Sequence, residues 1–308
     1  MKGESVLGYC QVTVFTSTYN RRYTLERLYE SLRGQTVKPM EWIIVDDGSS
    51  DDTYQLIFPW IETEIDFEII YLRVKNGGKH RAINKACDLA RGDLFCIVDS
   101  DDYLTDFAVE EIKNHWNKVK CDNLSGIIGL DSYKDGKIIG DKFPENMKTT
   151  TVFDFYYNKR LTGDKKIVYR TELTKMYPYP IFEGEKYVGL AYKYYKLDEK
   201  YELSTLNKVL CVVEYLEDGS SVNMFKQYIN NPRGFAFYRR ENMANSKASF
   251  KYSFQQCVHY VSSSILSRNS KFLKESPKKV MTLMAIPFGV ILYLYIMKNV
   301  SQKMKLSN

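Results

Sequence analysis

The chain has no CxxC pair: its six cysteines are scattered at positions 10, 87, 96, 121, 211 and 257. That scatter argues against a disulfide framework or a zinc site and for a reducing cytosol, with Cys87 and Cys96 inside apolar-periodic stretches as reduced core cysteines are. Histidine is scarce too. His80, His115 and His259 lie far apart, which speaks against a His-rich metal centre. The opening MKGESVLGYC lacks the apolar run of a secretory signal, so no export is expected. The body of the chain also lacks surplus charge. The net charge is +6, and residues 271–308, with seven lysines and one acid, hold all of it. A neutral body argues against nucleic-acid binding, whereas the basic tail points to an anionic partner.

What the sequence does contain is ordinary globular material. Hydrophobic residues make up 44% and charged residues 27%, with 25 Tyr and 16 Phe available for a large core and aromatic-lined clefts. At 308 residues the chain is about twice the ~150-residue prior for one domain, so one large domain with an appendage fits as well as two. Residues 11–17 (QVTVFTS), 42–45 (WIIV), 67–74 (FEIIYLRV) and 94–98 (LFCIV) are short β-branched or continuous apolar runs. Runs of that kind suit strands buried on both faces. Between them Leu25, Leu28 and Leu32, then Ile83, Ala86, Cys87 and Ala90, recur at helical spacing. The alternation predicts an α/β fold with a mostly parallel sheet flanked by helices.

Ligands of such sheets bind at the carboxyl ends of the strands. Here each end is polar: Ser17-Thr18-Tyr19-Asn20, then Asp46-Asp47-Gly48-Ser49-Ser50-Asp51-Asp52, then Asn76-Gly77-Gly78-Lys79-His80-Arg81, then Asp99-Ser100-Asp101-Asp102. Asp99 and Asp101 are like charges one residue apart, which a hard divalent cation would neutralise while also taking substrate phosphate. The alternative is that Asp101 or Asp102 caps a helix starting near Thr105. Ser50 or Asp51 can cap the next helix, leaving Asp46 and Asp47 at the strand tip to accept from a base N–H or a ribose hydroxyl. No GxGxxG follows the first strand, so a nicotinamide or flavin site is not expected. Lys79 and Arg81 at a helix start make a candidate anion site, the alternative being a solvated basic turn.

Taken in order, TSTYN, IIVDDGSSDDT, NGGKHRAINKACDLARGD and CIVDSDD resemble the family-2 glycosyltransferases of GT-A fold, among them enzymes of bacterial surface polysaccharides. The resemblance is dense over residues 10–105 and looser to about 215. It implies inverting transfer from a nucleotide-sugar, usually a UDP-sugar, with Mn²⁺ or Mg²⁺. Carried over by position, it implies that Ser17, Tyr19 and Asp47 contact uridine, with Asn20, Lys79, Arg81 and Ser100 also on the nucleotide side. It further implies that Asp99 and Asp101 handle ribose and the metal-bound pyrophosphate. Many members carry Arg-Asn where this chain has Ile83-Asn84, so that arginine's role passes to Lys79 or Arg81, or is absent.

The second half is expected to hold the acceptor side, with a helix over about 105–119 and β segments at 127–129, 138–140 and 167–169. Phe182-Glu183-Gly184-Glu185-Lys186 is expected to open a helix through Val188, Tyr192 and Tyr195. Inverting transfer needs a carboxylate base for the acceptor hydroxyl. The family's Glu-Asp pair resembles Glu185-Lys186 here, so Glu185, or else Glu183, is the candidate base, and Asp164 a candidate acceptor contact. Both glutamates could equally be placed to favour a helix dipole.

The expected layout is a catalytic domain over 1–220, divided near 105, and a helical region over 221–308 broken at Asn231-Pro232. Residues 280–297 are eighteen without a formal charge, between Lys278-Lys279 and Lys298. Eighteen apolar residues just reach spanning length, but Pro287, Gly289 and two tyrosines favour a monotopic segment, about 278–300, on the inner leaflet. The function expected is sugar transfer to a growing, lipid-linked capsule-type glycan, with a partner glycosyltransferase or a second copy as further possible partners. Two other classes stand beside it: a catalytically silent glycosyltransferase-like subunit, and a nucleotidyltransferase, whose nucleotide loop TSTYN does not supply.

Overall fold

The computed structural model describes residues 10–215 and 224–306, with side chains through residue 300. Its strands are β1 (Val12–Thr18), β2 (Glu41–Asp46), β3 (Glu68–Arg73), β4 (Leu94–Ile97), β5 (Tyr103–Leu104), β6 (Leu124–Ser132), β7 (Thr149–Thr150), β8 (Lys165–Arg170) and β9 (Glu202–Val212). They form one mixed sheet in the order β3-β2-β1-β4-β8-β6-β9-β5, with β7 also paired to β9. The strands β3, β2, β1 and β4 are parallel, as the alternation of the first hundred residues requires. Every residue of β2 and nearly all of β1 is buried, which is why both read as unbroken apolar runs. The edge strand β3 is mostly half-exposed.

Helices α1 (Arg22–Arg33), α2 (Thr53–Thr63), α3 (Lys79–Leu89) and α4 (Ala108–Val119) connect and flank this sheet. The stripe Leu25, Leu28 and Leu32 of α1 is fully buried. On its flank Tyr29 stacks on Trp60 of α2, 4.3 Å between centroids, with Trp42 of β2 at 6.2 Å from Tyr29. The strand β8, followed by α5 (Thr171–Met176), runs against both neighbours: Phe95 is opposite Tyr169, and Ile128 is opposite Ile167. The segment 138–140 contributes only an isolated bridge, Ser132 with Ile138.

The remaining helices are α6 (Ala191–Asp198), α7 (Met224–Asn230), α8 (Pro232–Ala244), α9 (Phe250–Leu266), α10 (Phe272–Glu275) and α11 (Lys279–Leu306). Pro232 opens α8 at its first position, where its missing N–H costs nothing. The chain divides into two compact units that are discontinuous in sequence. One comprises Met1–Asn76, Ala82–Pro178 and Lys200–Tyr215, and the other Gly77–Arg81, Tyr179–Glu199 and Leu216–Asn308. Segments 77–81 and 179–199, read from sequence as parts of the catalytic domain, thus group with the C-terminal helices. The second unit has its own core, built from Ala236, Met243, Cys257, Tyr260, Val261 and Ala285.

Candidate active site

In the sheet unit, the acidic residues gather at one edge because of strand direction. The parallel strands β1, β2 and β4 end there, and β8, running the other way, begins there. Its register sets Cys96 against Val168, so the turn beyond β4 meets Asp164 and Lys165 at the start of β8. Likewise Leu130 of β6 is opposite Lys165, which brings Asp131 to the same edge.

The two aspartates after β2 have different duties. Asp46 is buried and spent: one carboxylate oxygen accepts from the Ser49 N–H at 2.7 Å, the other from the Tyr71 hydroxyl at 2.6 Å. Asp47 donates its N–H to the Thr18 carbonyl, and its carboxylate accepts from Asn76 Nδ2 at 3.2 Å. Asn20, with φ of 53°, is a stitch between loops: its N–H donates to Ser49 Oγ and its Oδ1 accepts from the Ser50 N–H. That use of the side-chain oxygen competes with the nucleotide contact expected of Asn20. Ser17 is half-buried and Tyr19 exposed beside it. Asp51 accepts from the Thr53 N–H in a local turn ahead of α2, whose N-cap is Asp52 with no side-chain cap bond, so neither Ser50 nor Asp51 caps that helix.

After β4, Asp102 closes the turn by donating its N–H to the Asp99 carbonyl, and its buried carboxylate accepts from the Glu214 N–H. Helix α4 begins at Ala108 behind Phe107 with no side-chain cap, so neither Asp101 nor Asp102 caps it. Arg27 donates to the Asp101 carbonyl at 2.6 Å and pairs with Glu214. Ser100 is buried between half-exposed Asp99 and Asp101. Burial pushes the Asp102 carboxyl up to about 7, against the pull of Lys166 and with the repulsion of Asp99 and Asp101 adding to it. Burial also pushes Asp131 up, to about 6, with Asp164 and Asp99 repelling it and Lys166 opposing. Asp131 Oδ1 is buried with no hydrogen-bond partner among the described residues.

A cation at the centre is Lys166, buried, whose Nζ donates to the Ile97 carbonyl at 3.2 Å. Lys166 and Lys165 both act on Asp131, and Asp102 feels Lys166, whereas Asp99 and Asp101 stand half-exposed beside them. No trio of His, Cys, Asp or Glu among the described residues converges as a full cage would. Asp99 and Asp101 fit instead a hard divalent ion that takes one or two carboxylates and completes its shell with water and phosphate. Asp164 accepts from the Tyr215 hydroxyl, and Tyr215 lies 6.1 Å from Tyr133. Sequence reading missed Lys166, Asp131, Tyr133 and Tyr215. Asp131 was within reach, since it ends an apolar run (IIGLD) just as Asp99 does.

In the other unit, the candidate base has a different occupation. Residues 181–190 are irregular and α6 starts only at Ala191, so Glu185 does not open that helix. It is buried at the start of α8 instead. Its Oε1 accepts from the Arg233 N–H and from Arg233 Nε, both at 3.0 Å, and its Oε2 accepts from the Gly234 N–H at 2.7 Å. The carboxylate thereby satisfies orphan N–H groups and faces the positive end of the helix dipole. That occupation competes directly with taking a proton. Glu183 is exposed. Arg81, expected to face an anion, donates to the carbonyls of Phe182 and Glu185 at 2.9 and 3.0 Å and so pins that loop. Gly78 has φ of 93°, and a Cβ there would lie 1.9 Å from the Lys186 carbonyl oxygen, so only glycine fits. Lys79 begins α3, and the neighbouring His80 is buried edge-on to Tyr179, its pKa depressed by burial to about 4.

Acidic strand ends on a mostly parallel mixed sheet flanked by helices define a GT-A-like glycosyltransferase fold. The sequence model of glycosyl transferase family 2 matches residues 13–183, and the chain belongs to that family. Relatives include the glycosyltransferase GlyA of Streptococcus pneumoniae, 26% identical over 65% of this chain and 30% of that protein. Hyaluronan synthase of Pasteurella multocida is 25% identical over 87% of this chain and 28% of its own length. The chain therefore spans less than a third of either relative. Among solved structures, residues 1–349 of Staphylococcus aureus TarS with UDP-GlcNAc superpose with a TM-score of 0.59. That match is 18% identical and covers 95% of this chain and 92% of that one. The mannosyltransferase PcManGT of Pyrobaculum calidifontis, in complex with GDP-Man and Mn²⁺, gives 0.53 at 17% identity, covering 98% and 81%.

Proposed function

We propose that the protein transfers a sugar from a UDP-sugar to a hydroxyl of a growing, lipid-linked surface glycan at the inner face of the cell membrane, with inversion at the anomeric carbon. The observation that carries this reading is the half-exposed Asp99–Asp101 pair beside buried Asp102 and Asp131, at the strand end where a family-2 sheet would meet its nucleotide. UDP-GlcNAc in the TarS complex supports the donor class, and the polysaccharide relatives support the acceptor class.

In this reading Asp47, steadied by Asn76, accepts from the uracil edge, while Ser17 and Tyr19 line the base. Asp99 and Asp101 would hold Mn²⁺ or Mg²⁺, which would supply positive charge to offset that of the departing diphosphate. Lys166 fixes the end of β4 through the Ile97 carbonyl and keeps the pair's position. An acceptor hydroxyl attacks the anomeric carbon, the bond to the diphosphate breaks, and the hydroxyl proton passes to a carboxylate. With Glu185 occupied at α8, Asp164 takes that role, and Tyr133 and Tyr215 offer faces for the acceptor sugar.

The test is a screen of UDP- and GDP-sugars for hydrolysis and transfer, with Mn²⁺ and with EDTA, on wild type, Asp164→Asn and Glu183→Gln. Metal-dependent turnover lowered about 10²-fold or more by Asp164→Asn supports the reading. The same loss from Glu183→Gln alone moves the base to that residue. No turnover with any donor overturns the enzyme reading in favour of a silent subunit.

A further inference from the structure

Helix α11 is apolar around its whole circumference from residue 280 to 297, so its sequence alone singles out no face. It is also the one helix among the described residues long and apolar enough to cross a membrane, over Lys279–Val300. Packing gives it two different sides. Thr282, Ala285 and Ile296 are buried, and Gly289 is closed over by α9: a Cβ there would stand 2.5 Å from Val261 Cβ and 3.0 Å from the Val258 carbonyl oxygen. Polar contacts lock the start of this pairing. Ser276 and Thr282 share a 2.7 Å hydrogen bond, and Lys278 Nζ donates to Ser253 Oγ at 3.0 Å.

The opposite side is largely exposed, with Phe288 edge-on to Phe254 of α9 and Tyr295 edge-on to Phe225 of α7 at its margin. Val280, Met284, Phe288, Ile291, Leu294 and Tyr295 are each 54–74% exposed. Their spacing keeps them on one stripe, about 22 Å long at 1.5 Å per residue. Lys279 stands at one end of the stripe and Lys298, also exposed, at the other.

We propose that this stripe lies flat in the surface of an anionic lipid bilayer, with α11 held parallel to the membrane by its grip on α9. Charge selects the occupant. A second copy paired antiparallel through the stripe would set Lys279 against Lys298, and a parallel pair would set Lys279 against Lys279. An anionic headgroup layer meets both ends with opposite charge while the stripe enters the acyl boundary. Packing selects the orientation. To span, α11 would have to leave α9 or draw that helix, with its buried Ser253, Gln256 and Ser262, into hydrocarbon. The inference does not depend on which donor or acceptor the sheet unit uses.

The experiment is cosedimentation of the full chain with vesicles of phosphatidylcholine containing 30%, or no, phosphatidylglycerol, with donor hydrolysis measured in parallel without lipid. Wild type should bind anionic vesicles, with at least tenfold loss on neutral vesicles or at high salt. Phe288→Glu/Ile291→Glu and, separately, Lys279→Glu/Lys298→Glu should each lose binding by a similar factor while keeping the native circular dichroism and donor hydrolysis. A Phe288→Trp variant should be quenched more by shallow than by deep brominated acyl chains. Stronger deep quenching would mean a spanning helix and overturn the flat orientation. Absence of wild-type binding, or equal binding by the Glu variants, overturns the docking face. A wild-type dimer in light scattering that Phe288→Glu/Ile291→Glu dissolves would assign the stripe to a second copy.

Discussion

Replacing Glu185 by alanine should unfold the helical unit early, because its carboxylate serves the N-terminus of α8. The side chain is buried and accepts from two backbone N–H groups, those of Arg233 and Gly234, besides Arg233 Nε. Loss of a helix cap costs about 1 kcal/mol, and the Gly234 N–H, left buried without a partner, costs about 1–3 kcal/mol more. The Arg233 guanidinium is half-exposed and can turn to water, so its share is small. A total near 3 kcal/mol, at roughly 2–4 °C per kcal/mol for a chain of this class, lowers Tm by roughly 6–12 °C. Glu185→Gln keeps one acceptor but turns an amide donor toward a backbone donor, and should lose about half as much. Thermal unfolding by circular dichroism, with transfer measured well below Tm, reads both effects. A native Tm for Glu185→Ala would refute the capping argument. A native Tm for Glu185→Gln with transfer down about 10²-fold would restore Glu185 as the base.

Asp101→Asn should abolish metal-stimulated donor turnover with a stability change under about 1 kcal/mol, since the side chain is half-exposed and outside the core; wild-type-like activity in Mn²⁺ would remove the proposed metal assignment. Asp47→Ala should weaken UDP binding by about tenfold in calorimetry, the loss of a charge-assisted hydrogen bond, and unchanged affinity would leave Asp47 as part of a turn. His80, whose folded pKa is depressed to about 4 by burial, binds its proton more readily in the unfolded state. Stability should therefore fall as pH drops from about 6.5 toward 4, by up to ~1.4 kcal/mol per pH unit for this group. His80→Phe should flatten the Tm–pH curve in that window, and an unchanged slope would show that His80 is not the group responsible.

The sequence by itself determined the first, parallel half of the sheet. Strand periodicity, the buried stripe of α1 and the acids after β2 and β4 are local properties, and each lies within a few residues of the position read for it. Parallel order follows from helices between the strands, so Asp47 and Asp99 were bound to end on the same edge. What tertiary structure alone decided are the pairings across long separations. The direction of β8 brings Asp164 and Lys166 to the end of β4, and nothing in KKIVYR announces that it runs antiparallel. Glu185 meets the N-terminus of α8 forty-eight residues later in the chain, an encounter that a local motif cannot encode. Helix α11 is the sharpest case. A stretch apolar on all sides has no amphipathic signal to read, and only packing, chiefly on α9 with Phe225 of α7 against Tyr295, separates the side that is covered from the side that is exposed.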